Sequence, residues 1–112
     1  VYWARHHLNH LKNWRGAVEA VAKAAKGLGL EIDMYVVGGA AEDRLTVRSD
    51  VDVLVCVNAV SGGELGELRR RILIEAMDRH GLPWDYPIEL HIIPKGECGV
   101  ALKRFRKFIK IS

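Results

Sequence analysis

Two aspartates one residue apart, Asp50 and Asp52, open the apolar run Val53-Leu54-Val55, and ten residues before them stands the pair Gly38-Gly39. A strand repeats every two residues, so both carboxylates turn to the same face. A glycine turn lets bare backbone N–H groups come close to an anion. Carboxylates that hold a divalent metal, beside a turn that holds phosphate, are the parts that phosphoryl or nucleotidyl transfer needs. Further on, Ile88-Glu89-Leu90-His91-Ile92-Ile93 alternates like a strand and carries a third acid, Glu89, with His91 two residues later on the same face.

These residues need a frame. Leu8, Leu11, Val18, Val21, Ala22, Ala25 and Leu28 recur at helical spacing, which predicts a helix over about 4–27 that Gly27 and Gly29 end. Ile32 to Val37 then reads as a short strand that stops at Gly38-Gly39, and Ala40 to Arg44 as one helical turn. In the next strand, about 50–57, Val51, Val53, Val55 and Val57 make one wholly apolar face. The other face, Asp50, Asp52, Leu54 and Cys56, is polar only at its first positions, as suits a strand buried along most of its length and open at one end.

Ser61-Gly62-Gly63-Glu64 has capping-box spacing and predicts a helix over about 62–80, with Leu65, Leu68, Ile72, Ala76 and Met77 inward and Gly81 and Pro83 ending it. The strand 88–93 follows, stopped by Pro94. A last helix over about 98–110 would place Leu102, Phe105 and Ile109 on one face, with Lys103, Arg104, Arg106, Lys107 and Lys110 around them. The helix between the second and third strands suits a parallel crossover, so Glu89 would lie on a strand next to the aspartates. Three carboxylates at one corner of a sheet are costly unless a cation neutralises them. The expected fold is α/β (α+β): one domain over 1–112, a small mixed sheet of three or four strands flanked by helices, in the order α-β-(short α)-β-α-β-α.

Composition is compatible with this and excludes several classes. At 49% hydrophobic the chain can bury a core without staples, and a net charge of +3 with a pI near 9.0 permits nucleotide or nucleic-acid binding without requiring it. Cys56 and Cys98 make no disulfide framework; Cys56, inside an apolar strand, reads as a small core residue, and a reducing, cytoplasmic setting is expected. No apolar run approaches membrane-spanning length and no signal peptide is visible. There is no glycine loop followed by Lys-Ser or Lys-Thr and no Gly-x-Gly-x-x-Gly after a strand, which argues against a P-loop NTPase or a dehydrogenase.

Gly38-Gly39, the ten-residue gap, Ser49 directly before Asp50-Val51-Asp52, and the later strand acid Glu89 together resemble the DNA polymerase beta-like nucleotidyltransferase superfamily, in its minimal nucleotidyltransferase branch. The resemblance implies that Asp50 and Asp52 hold two magnesium ions, or manganese in their place. It implies that Glu89 completes the metal site or serves as base, and that Gly38 and Gly39 cradle the outer phosphates of a nucleoside triphosphate. Ser49 and Arg44 become further nucleotide contacts. The product would be a nucleoside monophosphate, AMP for example, joined to a protein or small-molecule hydroxyl, with pyrophosphate released. Three features depart from the family pattern: Gly39 stands where serine is usual, the turn continues Ala40-Ala41-Glu42-Asp43 with only Arg44 and Arg48 as positive charge, and Glu89 replaces the commoner aspartate. Acids close to a triphosphate are unfavourable. The alternative is therefore a catalytically weak nucleotide- or partner-binding protein of the same fold.

Larger relatives grip base and acceptor with a second domain. The resemblance accordingly implies either a homo-oligomer or a small helical partner of the HEPN type, in a toxin–antitoxin-like module. Plainer readings stand beside several residues. Asp-x-Asp can be a charged strand edge, and Glu89 can simply face solvent. His6 and His10 share a helix face without nearby acids and read as surface histidines. His91 either lines the site or fills a half-exposed strand. The basic last helix is either a solvated face or the sole support for nucleic-acid contact. Trp3, Trp14 and Trp84 read as core or partner-facing.

Overall fold

The computed structural model describes residues 13–46, 50–58 and 65–111. In chain order its elements are α1 (Trp14–Gly27), β1 (Ile32–Val37), β2 (Val51–Val57), α2 (Leu65–Arg79), β3 (Ile88–Pro94), α3 (Lys95–Leu102) and β4 (Phe108–Lys110). The strands form one sheet in the order β3-β2-β1-β4. β2 runs parallel to β3, as the crossover predicts, and β1 is antiparallel to both β2 and β4. The fold is thus the mixed α/β arrangement expected, with four strands.

Strand alternation sorts the core into two. Val51, Val53, Val55 and Val57 of β2 join Met34 and Val36 of β1 beneath α1 and α2, which contribute Val18, Val21, Ala24, Ala25, Leu68, Ile72 and Ala76. The small alanines of α1 let helix and sheet approach closely, while Ile72 and Met34 fill the middle with no exposed surface. On the opposite face Val37, Leu54 and Cys56 are covered by Cys98 of the short α3, with Leu102 and Phe105 alongside. α3 covers only part of this face, so the sheet end carrying Asp52 stays open.

Two expectations change. The last helix begins at Lys95, directly after Pro94, and ends at Leu102; the stretch expected to complete it includes the strand Phe108–Lys110. The reason is tertiary. β1 would otherwise have an open edge, and Phe108-Ile109-Lys110 supplies its missing partners by pairing with Val37, Val36 and Tyr35. Over so short a run the apolar residues fit either period. The second change is covalent. Cys56 and Cys98, expected as separate thiols, form a disulfide between β2 and α3. That bridge removes the free-thiol argument on which a reducing compartment was expected. Of the tryptophans read as core or partner-facing, Trp14 is in the core and Trp84 is 85% exposed.

After the glycine pair the chain makes a single hydrogen-bonded turn and not a longer helix: Glu42 N–H reaches Gly38 O at 3.0 Å, the spacing of one helical turn, and Arg44 N–H reaches Gly39 O at 2.8 Å. The proposed start of the first helix, with Trp3, His6, His7 and His10, lies outside the described residues, as do Arg48, Ser49 and the capping box at 61–64. No helix among the described residues is long and apolar enough to cross a membrane.

Candidate active site

The register determines which side chains meet. Val37 at the end of β1 lies opposite Asp52, and Asp52 lies opposite Glu89 at the start of β3. The glycine turn, the second aspartate and the strand glutamate therefore converge at one end of the sheet. Gly38, the first residue after β1, has φ +69°, a left-handed conformation that side chains resist. A Cβ there would sit 3.1 Å from Asp52 Oδ2. So Gly38 is needed twice, for its torsion and for the approach of the turn to the carboxylate.

Asp52, Glu89 and His91 each offer one donor atom within 4.8 Å of the others. His91 Nε2 lies 3.3 Å from Asp52 Oδ1 and, when protonated, donates to it. The pair is 40% and 32% exposed, so solvent reaches the cluster. Of the two readings of His91, the structure selects the one in which it lines the site. Two carboxylates held side by side by strand pairing repel unless a cation stands between them. Two carboxylate oxygens and one imidazole nitrogen are a donor set that can hold a divalent ion. Asp50 precedes β2, is exposed, and stands outside this three-residue group. Asp52 and Glu89 are brought together as the sequence predicts; Asp50 joins them only in strand parity.

Arg44 is exposed and forms an ion pair with Glu42 at 2.9 Å. This pairing turns one acid of the turn away from open repulsion. The Arg44 hydrogen bond holds the Glu42 carboxyl below the usual carboxylate range, and the charges of Arg44, Arg106 and Lys107 act in the same direction. Two clefts adjoin this end of the sheet. One, of about 380 Å³, is lined by Leu65, Arg69, His91 and Ile93 among others. The other, of about 460 Å³, is lined by Glu42, Arg44, Arg104, Phe105 and Arg106. Sequence reasoning saw the last two arginines only as part of a helix face, and did not single out Arg69. The signal it lacked was that the α3–β4 connection returns to the glycine turn.

Comparison with known proteins fits this arrangement. The family model of the nucleotidyltransferase domain matches residues 18–111, from α1 through β4. A Sulfolobus solfataricus protein provisionally named a nucleotidyltransferase has a similar fold, with a TM-score of 0.58 at 14% identity, over 98% of this chain and 86% of that one. A second structure with the same provisional name gives a TM-score of 0.47 at 24% identity, over 92% of this chain and 98% of that one. No curated protein matches the sequence. A family match over most of the chain, with the glycine turn and the strand acids in one place, makes this chain a member of the nucleotidyltransferase domain family and a transferase of nucleotidyl groups.

Proposed function

We propose that the chain transfers a nucleoside monophosphate, AMP for example, from a triphosphate to a hydroxyl of a protein or small acceptor. In this reading Asp52, Glu89 and Asp50 hold magnesium or manganese, and His91 orients Asp52. Gly38 and Gly39 present backbone N–H groups to the outer phosphates, with Ser49 and Arg44 as additional nucleotide contacts. The observation that carries the reading is the juxtaposition of the Gly38 turn and the Asp52–Glu89 pair across three neighbouring strands.

A divalent cation at this corner would neutralise phosphate charge and acidify the acceptor hydroxyl. The residues do the remaining work. The turn fixes the β- and γ-phosphates so that the α-phosphorus faces the acceptor. As the acceptor oxygen attacks, Glu89 takes its proton. The bond from the α-phosphorus to the bridging oxygen breaks, and pyrophosphate leaves on the side of the glycine turn. The cleft lined by Arg69 and His91 lies on the β3 side and is the space left for the acceptor. A second chain, another copy or a HEPN-type protein, would complete recognition of the base.

The test is metal-dependent stabilisation by nucleotide, followed by transfer of labelled nucleotide. The parent should gain thermal stability when magnesium or manganese and ATP are added together. Asp50→Asn with Asp52→Asn should remove that gain, and Asp52→Asn alone should remove more of it than Asp50→Asn. A double variant that responds as the parent does would place the site elsewhere.

A further inference from the structure

The glycine turn of this protein is short of positive charge. Its own sequence continues with Glu42 and Asp43, and its one described arginine, Arg44, is engaged by Glu42. A triphosphate carries about four negative charges, of which a divalent cation offsets only a part. Something else must balance the β- and γ-phosphates if they rest on this turn.

The register of β4 points to the source. Tyr35, Val36 and Val37 pair with Lys110, Ile109 and Phe108. The pairing ends with Phe108 against Val37, so the residues that lead into β4 arrive beside the start of the glycine turn. The cleft of about 460 Å³ is lined on one side by Glu42 and Arg44 of the turn and on the other by Arg104, Phe105 and Arg106. The lowered pKa of Glu42, due first to its Arg44 hydrogen bond and then in part to Arg106 and Lys107, agrees that these cations face the turn. The connection is anchored on both sides, by the Cys56–Cys98 bridge that ties α3 to β2 and by the pairing of β4 with β1.

We infer that Arg104 and Arg106, carried on the α3–β4 connection, form with Arg44 the subsite for the β- and γ-phosphates of the triphosphate and for the departing pyrophosphate. The inference rests on the nucleotidyl-transfer reading for its ligand but on different residues. Across the sheet the site is polarised: Glu89 and Asp52 at the metal end, the Gly38 turn between, and the cations at the far end. Glu42 pairs with Arg44 and faces Arg106 and Lys107, so its carboxylate stands where a phosphate oxygen would otherwise meet these cations. Phosphate entering the cleft competes with Glu42 for Arg44.

Calorimetric titration with inorganic tripolyphosphate, without metal, and separately with magnesium and ATP, tests this. Arg104 and Arg106 are both exposed, so Arg104→Ala with Arg106→Ala should keep the parent's circular dichroism and thermal midpoint. It should weaken tripolyphosphate and magnesium–ATP binding by about ten- to a hundredfold, as expected for lost charge-assisted hydrogen bonds. Arg106→Lys should recover part of the loss, and Glu42→Gln should strengthen tripolyphosphate binding by freeing Arg44. Parent-like affinity for both ligands in the double alanine variant overturns the subsite. If Asp52→Asn still abolishes the magnesium–ATP response in that case, the proposed function stands. Loss of tripolyphosphate binding in the double variant, with no effect of Asp52→Asn on ATP, would keep the anion subsite and remove the transferase reading. Binding of a single-stranded oligonucleotide but not of tripolyphosphate would overturn the inference in favour of a nucleic-acid contact.

Discussion

Gly38 and Gly39 are neighbours with different obligations. Gly38 combines a left-handed torsion with a 3.1 Å approach of its would-be Cβ to Asp52 Oδ2. Gly38→Val must therefore strain the backbone by about 1–3 kcal/mol and push the turn off the carboxylate. It should weaken magnesium–ATP binding sharply in calorimetry, and equal affinities for variant and parent would show that phosphate does not rest on this turn. Gly39 has no such constraint: a Cβ there meets Arg44 O and Leu45 Cδ2 at 3.7 Å, ordinary contact. Gly39→Ser should fold normally and keep ATP affinity or raise it by up to about tenfold, because it restores a hydroxyl donor. His91 is the residue whose role the sequence left open. Its hydrogen bond to Asp52 follows from pairing of Leu54 with His91 one strand over, two positions on from the Asp52–Glu89 pair.

At the scale of elements, the turn after β1 and the connection before β4 act on each other through charge. Glu42 has a lowered folded-state pKa, so its contribution to stability is present above the usual carboxylate pKa and is lost as pH falls through the lowered value. Glu42→Gln should flatten the acid limb of a stability–pH curve measured by urea unfolding, with little change near neutrality. A parent and variant with parallel acid limbs would mean that the Arg44–Glu42 pair contributes nothing in solution, the common fate of exposed ion pairs. Tyr86 acts at the other end of the scale. Burial pushes its phenol up to about 12. The raised value means that its contribution is full below about pH 10, the ordinary tyrosine value, and is lost as pH rises from there towards 12.

Among the described residues the molecule is a small sheet with two helices on one face and one short helix on the other. The Cys56–Cys98 bridge fastens that single helix and closes a sequence separation of 42 residues. By chain entropy a loop of this size is worth about 4 kcal/mol. Reductant should lower the thermal midpoint of the parent, while Cys56→Ala with Cys98→Ala should start lower and ignore reductant. If the bridge also anchors the cationic connection, tripolyphosphate affinity should fall with reduction in the parent alone. Ile74, Trp84, Val100 and Phe108 remain exposed, and Phe108 rests edge-on against Tyr35 with ring centroids 5.6 Å apart.

The sequence by itself determined the strand bearing Asp52, the strand bearing Glu89, their parallel relation and the glycine turn between apolar runs. These are local: alternation, punctuation by glycine and proline, and the length of a crossover suffice to read them. It also determined the inward face of α2, since Leu68, Ile72 and Ala76 repeat at one helical period. Only the tertiary structure decided the rest. Phe108-Ile109-Lys110 is a strand because an unpaired edge of β1 needed hydrogen-bond partners, a demand made 71–75 residues earlier in the chain. Cys56 meets Cys98 because α3 folds onto β2, and no spacing rule contains that contact. Asp50, equal to Asp52 in pattern, lies outside the acid cluster because it precedes the first paired position of β2. Arg106 faces the glycine turn because β4 is a strand and not a helix, so the partner chosen by one sheet edge places charge beside the proposed phosphate site.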